Sequence, residues 1–296
     1  MLPRSRVPPC PRGPALLRFP GISNPAPGRP GRRGGVAGLS SDTGGCRTRR
    51  RRRQARRVTL LLAAFGIVLL GAVAQAVSGF GFALVTVPLL AALIDPRGAV
   101  VVSALTGFGL TMVAAVRERA YARWPVAAAL AGTALLGLPL GLLVLARAPE
   151  RALNATIAVV VLGCVALVWS GARIRTGRVG LGAVGVLVGV LTAATGTNGP
   201  PLVAAFHSLG YDPRTFRATL AATFAGTGVM GLVGFAATGQ VHVDTVRTAL
   251  VALPAVPLGW WLGNRLFHRV DPAVFRRIVL VGLLGSAGTA LAGLAS

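Results

Sequence analysis

Thr192-Ala-Ala-Thr195-Gly196-Thr197-Asn198-Gly199-Pro200-Pro201 interrupts an otherwise apolar run. Residues 179–195 before it and 199–210 after it are apolar. Gly permits backbone angles closed to other residues. The two prolines remove N–H donors and block helix continuation ahead of them. An earlier stretch, Gln75-Ala-Val-Ser78-Gly79-Phe80-Gly81, interrupts the apolar sequence in the same way. Lipid offers no hydrogen bonds, so backbone groups freed by such breaks must be buried in protein or line a wet cavity. The pattern predicts an all-α polytopic membrane protein with an internal site.

Composition agrees. Of 296 residues, 53% are hydrophobic and 13% charged, with a mean hydropathy of +0.69. Soluble domains carry about 25% charged residues. Apolar runs of roughly 20 residues recur from Val58 onward, the length at which a helix spans the hydrocarbon core. The net charge of +24 does not imply nucleic acid. All 31 basic residues are Arg; fifteen precede Val58, and most of the others sit in gaps between apolar runs. That is the distribution of a membrane anchor and its loops. The tail before Val58 has one aromatic, Phe19, and no pattern for a folded basic face. Cys10, Cys46 and Cys164 show no disulfide or metal-ligand spacing.

Residues 1–57 are rich in Pro, Gly and Arg and are expected to be a disordered tail. A start assigned too far upstream would account for such a tail. The apolar run 58–73 followed by Ala74-Gln75-Ala76 resembles a secretory signal. The apolar pattern continues through Ile94, which favours a retained span.

Sliding the sequence by 117 residues aligns 72–116 with 189–233, with ten identities. Asp95-Pro96-Arg97 meets Asp212-Pro213-Arg214, Gly79 meets Gly196, and Ser78 meets Thr195. One residue out of that frame, Pro139-Leu140-Gly141 meets Pro257-Leu258-Gly259. The membrane domain therefore reads as two copies of one unit, residues 58–175 and 179–296, the usual build of secondary transporters. The second segment of each unit, 79–94 or 199–210, is too short to cross a core of about 30 Å. Each unit is thus expected to hold an interrupted or re-entrant helix. If each interrupted pair crosses once, the Arg bias gives eight net crossings with a cytoplasmic N-terminus. In that arrangement the gaps 117–123, 173–178 and 238–247 share one side, and Arg97, Arg147, Arg151, Arg214, Arg217 and the stretch 265–277 share the other.

A half-helix N-terminus concentrates about half a positive charge and aims N–H groups outward, which makes it an anion site. The expected substrate-binding residues are Ser78, Gly79 and Gly81 at the first break and Thr195, Gly196, Thr197, Asn198 and Gly199 at the second. Arg217 joins them because Arg within an apolar segment is costly. His207 is the candidate for proton coupling. Asp95 and Asp212 suit helix N-caps with Pro at the first position. Gly137/Gly141 and Gly259/Gly263 suit close helix contacts. No catalytic motif, phosphate loop, cofactor motif or metal site is visible.

The Ser78-Gly79-Phe80-Gly81 to Pro88 spacing, the Gly196–Pro201 break and the later Pro-Leu-Gly together resemble the TauE/SafE sulfite-exporter family over about residues 60–294. Phe80 and Phe82 stand where that family is richer in Gly. The resemblance implies export of sulfite, organosulfonates or related small anions through the inner membrane. The expected partners are a small anion and the lipid bilayer, with no nucleic acid; oligomeric state, a homo-oligomer included, is left open. The leading expectation is a gradient-driven permease. The alternatives are a passive anion channel and a non-transport assembly partner.

Overall fold

The computed structural model describes residues 42–170 and 177–267; the side chains of 42–53, of Ser78 and of His207, among a few others, lie outside that description. The chain divides into two units, Met1–Thr59 and Leu60–Ser296. Every described element is a helix: α1 (Asp42–Ser78), α2 (Phe82–Ala91), α3 (Pro96–Arg117), a 3-10 turn (Arg119–Tyr121), α4 (Trp124–Arg147), α5 (Glu150–Ser170), α6 (Arg178–Thr195), α7 (Gly199–Ser208), α8 (Pro213–Ala237), α9 (Val243–Ala252) and α10 (Ala255–Phe267). Residues 42–57, where the sequence reading expected no structure, are helical. Arg and Gln are good helix formers once an adjoining helix supplies the nucleus. The remainder of the expected tail and the expected span at 273–294 lie outside the described residues.

Among the described residues, six stretches are long and apolar enough to cross a bilayer: Gln54–Val77, Pro96–Arg117, Trp124–Arg147, Glu150–Leu167, Pro213–Ala237 and Val243–Arg265. The chain is a multi-pass helical membrane protein.

In the second unit, both breaks produce helical hairpins. α1 ends before Gly79 (φ 81°) and Gly81 (φ 109°), left-handed angles that favour glycine. α2 then runs back beside α1: Gly71 lies against Thr86 and Phe82, and Ala64 clusters with Leu90. α6 ends at Gly196 (φ 68°), and α7 returns beside it, with Val184 and Val188 packed with Leu202, Val203 and Phe206. A broken helix that continued across the bilayer would place its second limb beyond the first. Here each second limb lies alongside, so the expected single crossing per break does not follow from this geometry.

The helices between the hairpins have defined ends. Asp95 caps α3 by accepting from the Gly98 N–H (2.6 Å), and Pro96 occupies the first helical position. Arg97 donates to the carbonyls of Leu145 and Ala148 at the α4 C-terminus, both at 2.8 Å. Those carbonyls have no partner within their own helix. Asp212 caps α8 through Thr215 (3.2 Å), and the Thr215 side chain and backbone hold its carboxyl below the usual carboxylate range.

α3 and α8 are antiparallel, because Glu118 pairs with Arg217 while Phe108 meets Gly228. At one end lie Glu118, Tyr121, Arg123, Arg214 and Arg217; Thr219 accepts from the Arg123 N–H, and Arg214 stands over the Tyr121 ring at 6.0 Å. At the other end lie Arg97, Leu145 and Phe235, with Gly234 beside Leu138 and Leu142. Arg97 and Arg214 therefore sit at opposite ends, as do the gaps 117–123 and 238–247. This corrects the loop arrangement expected from charge, and the returning hairpins are the reason.

Glycines set the closest helix contacts. A Cβ on Gly137 or Gly141 would overlap the Val186 or Val190 carbonyl of α6, and one on Gly189 would overlap the Ala134 carbonyl of α4. On α10, a Cβ at Gly259 would lie 2.7 Å from the Leu69 carbonyl, and one at Gly263 3.0 Å from the Val73 carbonyl, both on α1. Leu69 and Val73 precede Val186 and Val190 by the same 117 residues that relate the two breaks. Gly137 and Gly141 thus dock as Gly259 and Gly263 do, which shifts the Pro-Leu-Gly alignment expected from sequence by one helical turn.

Candidate functional site

The tips of the two hairpins face one another across a cavity of about 90 Å³. A single water needs only about 10–15 Å³ in this measure, so the cavity has room for a small multi-atom solute. Gly81, Phe82, Ala83 and Leu84 line it from the start of α2, and Asn198 and Gly199 from the start of α7. Neither N-cap, Gly81 or Asn198, makes a side-chain capping bond. First-turn N–H groups have no partner within the helix. Pro200 and Pro201 remove two of those donors from α7, leaving the N–H groups of Asn198 and Gly199. Two helix N-termini of about half a positive charge each thus converge on one space.

The remaining walls come from α3 and α8. Ser103, Gly107 and Thr111 face the cavity along α3, and Phe224, Gly228, Gly231 and Phe235 along α8. Gly107 is necessary because a Cβ there would crowd the Phe82 ring at 2.8 Å. Gly199 meets Phe80 at 3.2 Å in the same test, so that ring closes the space between the two hairpin tips. No charged side chain lines the cavity among the described residues.

Polar side chains at the second break form a connected set. Asn198 donates to the Thr192 hydroxyl at 3.0 Å and reaches Thr227 at 3.5 Å. Thr192 donates in turn to the Val188 carbonyl at 2.7 Å. Thr195 and Thr197 share a hydrogen bond of 2.7 Å. On the facing side, Ser103 and Thr86 share one of 2.6 Å. These bonds fix the tips without using a charge.

Five expected residues line the cavity: Gly81, Gly196, Thr197, Asn198 and Gly199. Thr195 is fully buried behind them and positions Thr197. Gly79 and Arg217 line a second, smaller cavity of about 20 Å³ with Gln75, Ala114, Glu118, Ala221, Phe224 and Trp260. There Arg217 pairs with Glu118 at 3.7 Å, with both side chains about one-third exposed. The side chains of Ser78 and His207 lie outside the described residues. Sequence reasoning missed Gln75, Ser103, Thr111 and Thr192 as wall residues. A usable signal was present: Ser103, Gly107 and Thr111 recur every four residues, which puts small and polar groups on one helix face.

A multi-pass membrane protein with two helical hairpins whose tips share an uncharged cavity is the class these features define. The sequence profile of the sulfite exporter TauE/SafE family matches residues 49–290, and the chain belongs to that family. It is similar to a probable sulfite/organosulfonate exporter TauE of Cupriavidus necator, with 31% identity over 101 residues, 34% of this chain and 40% of the relative. It is also similar to a probable inner membrane transporter protein TsaS of Comamonas testosteroni, with 32% identity over 34% of this chain and 42% of the relative. The chain spans about two fifths of the length of each of these relatives. No solved structure matches it.

Proposed function

We propose that this protein is an inner-membrane permease that moves a small sulfur-containing oxyanion, sulfite or an organosulfonate, down or against a gradient supplied by a coupled ion. The observation that carries the reading is the convergence of two uncapped helix N-termini on one uncharged cavity. Backbone dipoles attract a negative solute, and the absence of a fixed cation among the described lining residues keeps the site weak enough to release it. Family membership and the similarity to the two relatives support the substrate class.

The same reading treats residues 58–175 and 179–296 as two copies of one unit in opposite orientations. The matching glycine contacts of α4 on α6 and α10 on α1 support it. In this arrangement each hairpin returns to its own side, and three crossings follow in each unit, counting the expected span at 273–294. The total is six net crossings, with inverted repeats of the kind that alternate access around a central site.

Purified protein in liposomes should take up labelled sulfite with saturation, and an imposed proton or sodium gradient should drive the uptake. No uptake of sulfite, thiosulfate or sulfoacetate above protein-free liposomes defeats the transport reading; non-saturating, uncoupled flux identifies a channel. For topology, single cysteines at Ala122 and Gln240 should label from opposite sides of the membrane. Labelling from one side would restore eight crossings.

A further inference from the structure

Gln75 is the one wall residue that belongs to both cavities in company with an aromatic ring. It lines the main cavity and the smaller one beside Arg217, and only Phe224 is shared with it. Both side chains are 7% exposed. The two residues therefore form the partition between the spaces, with Gln75 as its polar half. Among the described residues no hydrogen bond to the Gln75 side-chain amide is formed. Its counterpart 117 residues on, Thr192, is fully engaged with Val188 and Asn198. A buried amide without partners is costly, and native interiors rarely keep one without a use.

We propose that Gln75 is a selectivity residue at the neck of the permeation path, where its amide donates to an oxyanion passing between the two cavities. The inference rests on the permease reading above. The side-chain NH2 offers two donors, and the carbonyl beside it accepts up to two. A solute with several oxygens on one centre, such as a sulfite or sulfonate group, can engage both donors as it moves. A halide has no such geometry. Beyond the neck, the Arg217–Glu118 pair is long at 3.7 Å and partly exposed. Arg217 receives the anion there, and Glu118 beside it keeps the anion from staying. The neck thus discriminates by hydrogen bonding, and the outer cavity by charge.

The test uses the full chain in liposomes with labelled sulfite at pH 7. Gln75→Leu keeps the side chain's bulk and removes its hydrogen bonds. It should raise KM or lower kcat/KM about 10–100-fold, the range for one hydrogen bond to a charged group. Without ligand, the Leu variant should be as thermally stable as wild type or more so, because an unsatisfied amide has been removed. A residue that served packing or bound only a structural water would lose stability instead. Gln75→Asn should fall between wild type and Leu, and Gln75→Glu should stop flux by placing a carboxylate in the neck. Unchanged kinetics in Gln75→Leu, or a drop in its unliganded Tm with KM intact, overturns the assignment while leaving the permease reading standing. A wild-type protein that moves no anion overturns both.

Discussion

The two hairpin tips reach the same geometry by different chemistry. At the first, two glycines with left-handed angles flank Phe80, and the ring seals the tip against Gly199. At the second, one glycine turns the chain, and Thr192, Thr195, Thr197 and Asn198 knit the tip together by hydrogen bonds. Similar hairpin tips therefore do not carry similar side-chain work. The first tip contributes shape and bare N–H groups, and the second contributes the polar set. Gln75, one turn ahead of the first break, is the polar group that the first hairpin places against the cavity.

The support beneath the tips is the place to break this comparison most severely. Gly189 holds α6 against the Ala134 carbonyl, and any side chain there overlaps backbone. Gly189→Val should destabilise the protein by about 3 kcal/mol or more, read as a fall in Tm in detergent. Gly263→Val, on the helix that backs the first hairpin, meets the Ala76 Cβ at 2.6 Å and should cost about 1–3 kcal/mol. Equal losses would mean that both hairpins are held alike.

At the tips themselves, Asn198→Asp should reduce sulfite flux roughly 100-fold with the fold intact, because a carboxylate then faces the cavity. Phe80→Leu, at the first tip, should change flux by about threefold or less. The reverse ranking would put the polar work on the wrong hairpin.

The smallest contrast lies in the two Asp-Pro-Arg turns. Arg97 closes two α4 carbonyls at 2.8 Å, whereas Arg214 only stands over Tyr121 at 6.0 Å. Arg97→Ala should cost about 1–3 kcal/mol and Arg214→Ala about 0.5 kcal/mol in thermal unfolding.

Much of this was legible before any coordinates. Gly and Pro mark both breaks because no other residues serve there. Asp95 and Asp212 announce helix starts, since an Asp-Pro pair at the edge of an apolar run has little else to do. The direction of each second limb was not legible. A short apolar segment looks the same whether it continues or returns, and only packing partners such as Ala64 and Leu90 decide. The charge bias could not decide this either, because it sorts loops only after crossings are counted. Arg217 was readable as a polar residue in an apolar helix, but its partner Glu118 is remote in sequence and belongs to a different helix end.

The exchanged glycine contacts also set a timetable for synthesis. The face of α1 that carries Leu69 and Val73 is covered by Gly259 and Gly263, which emerge 190 residues later. At roughly 5–20 residues per second, that face waits on the order of ten seconds or longer in the translocon or against lipid before its cover arrives. The small residues along it, Ala72 and Ala76, leave little to grip in that interval, so a helix made much later locks α1 into place.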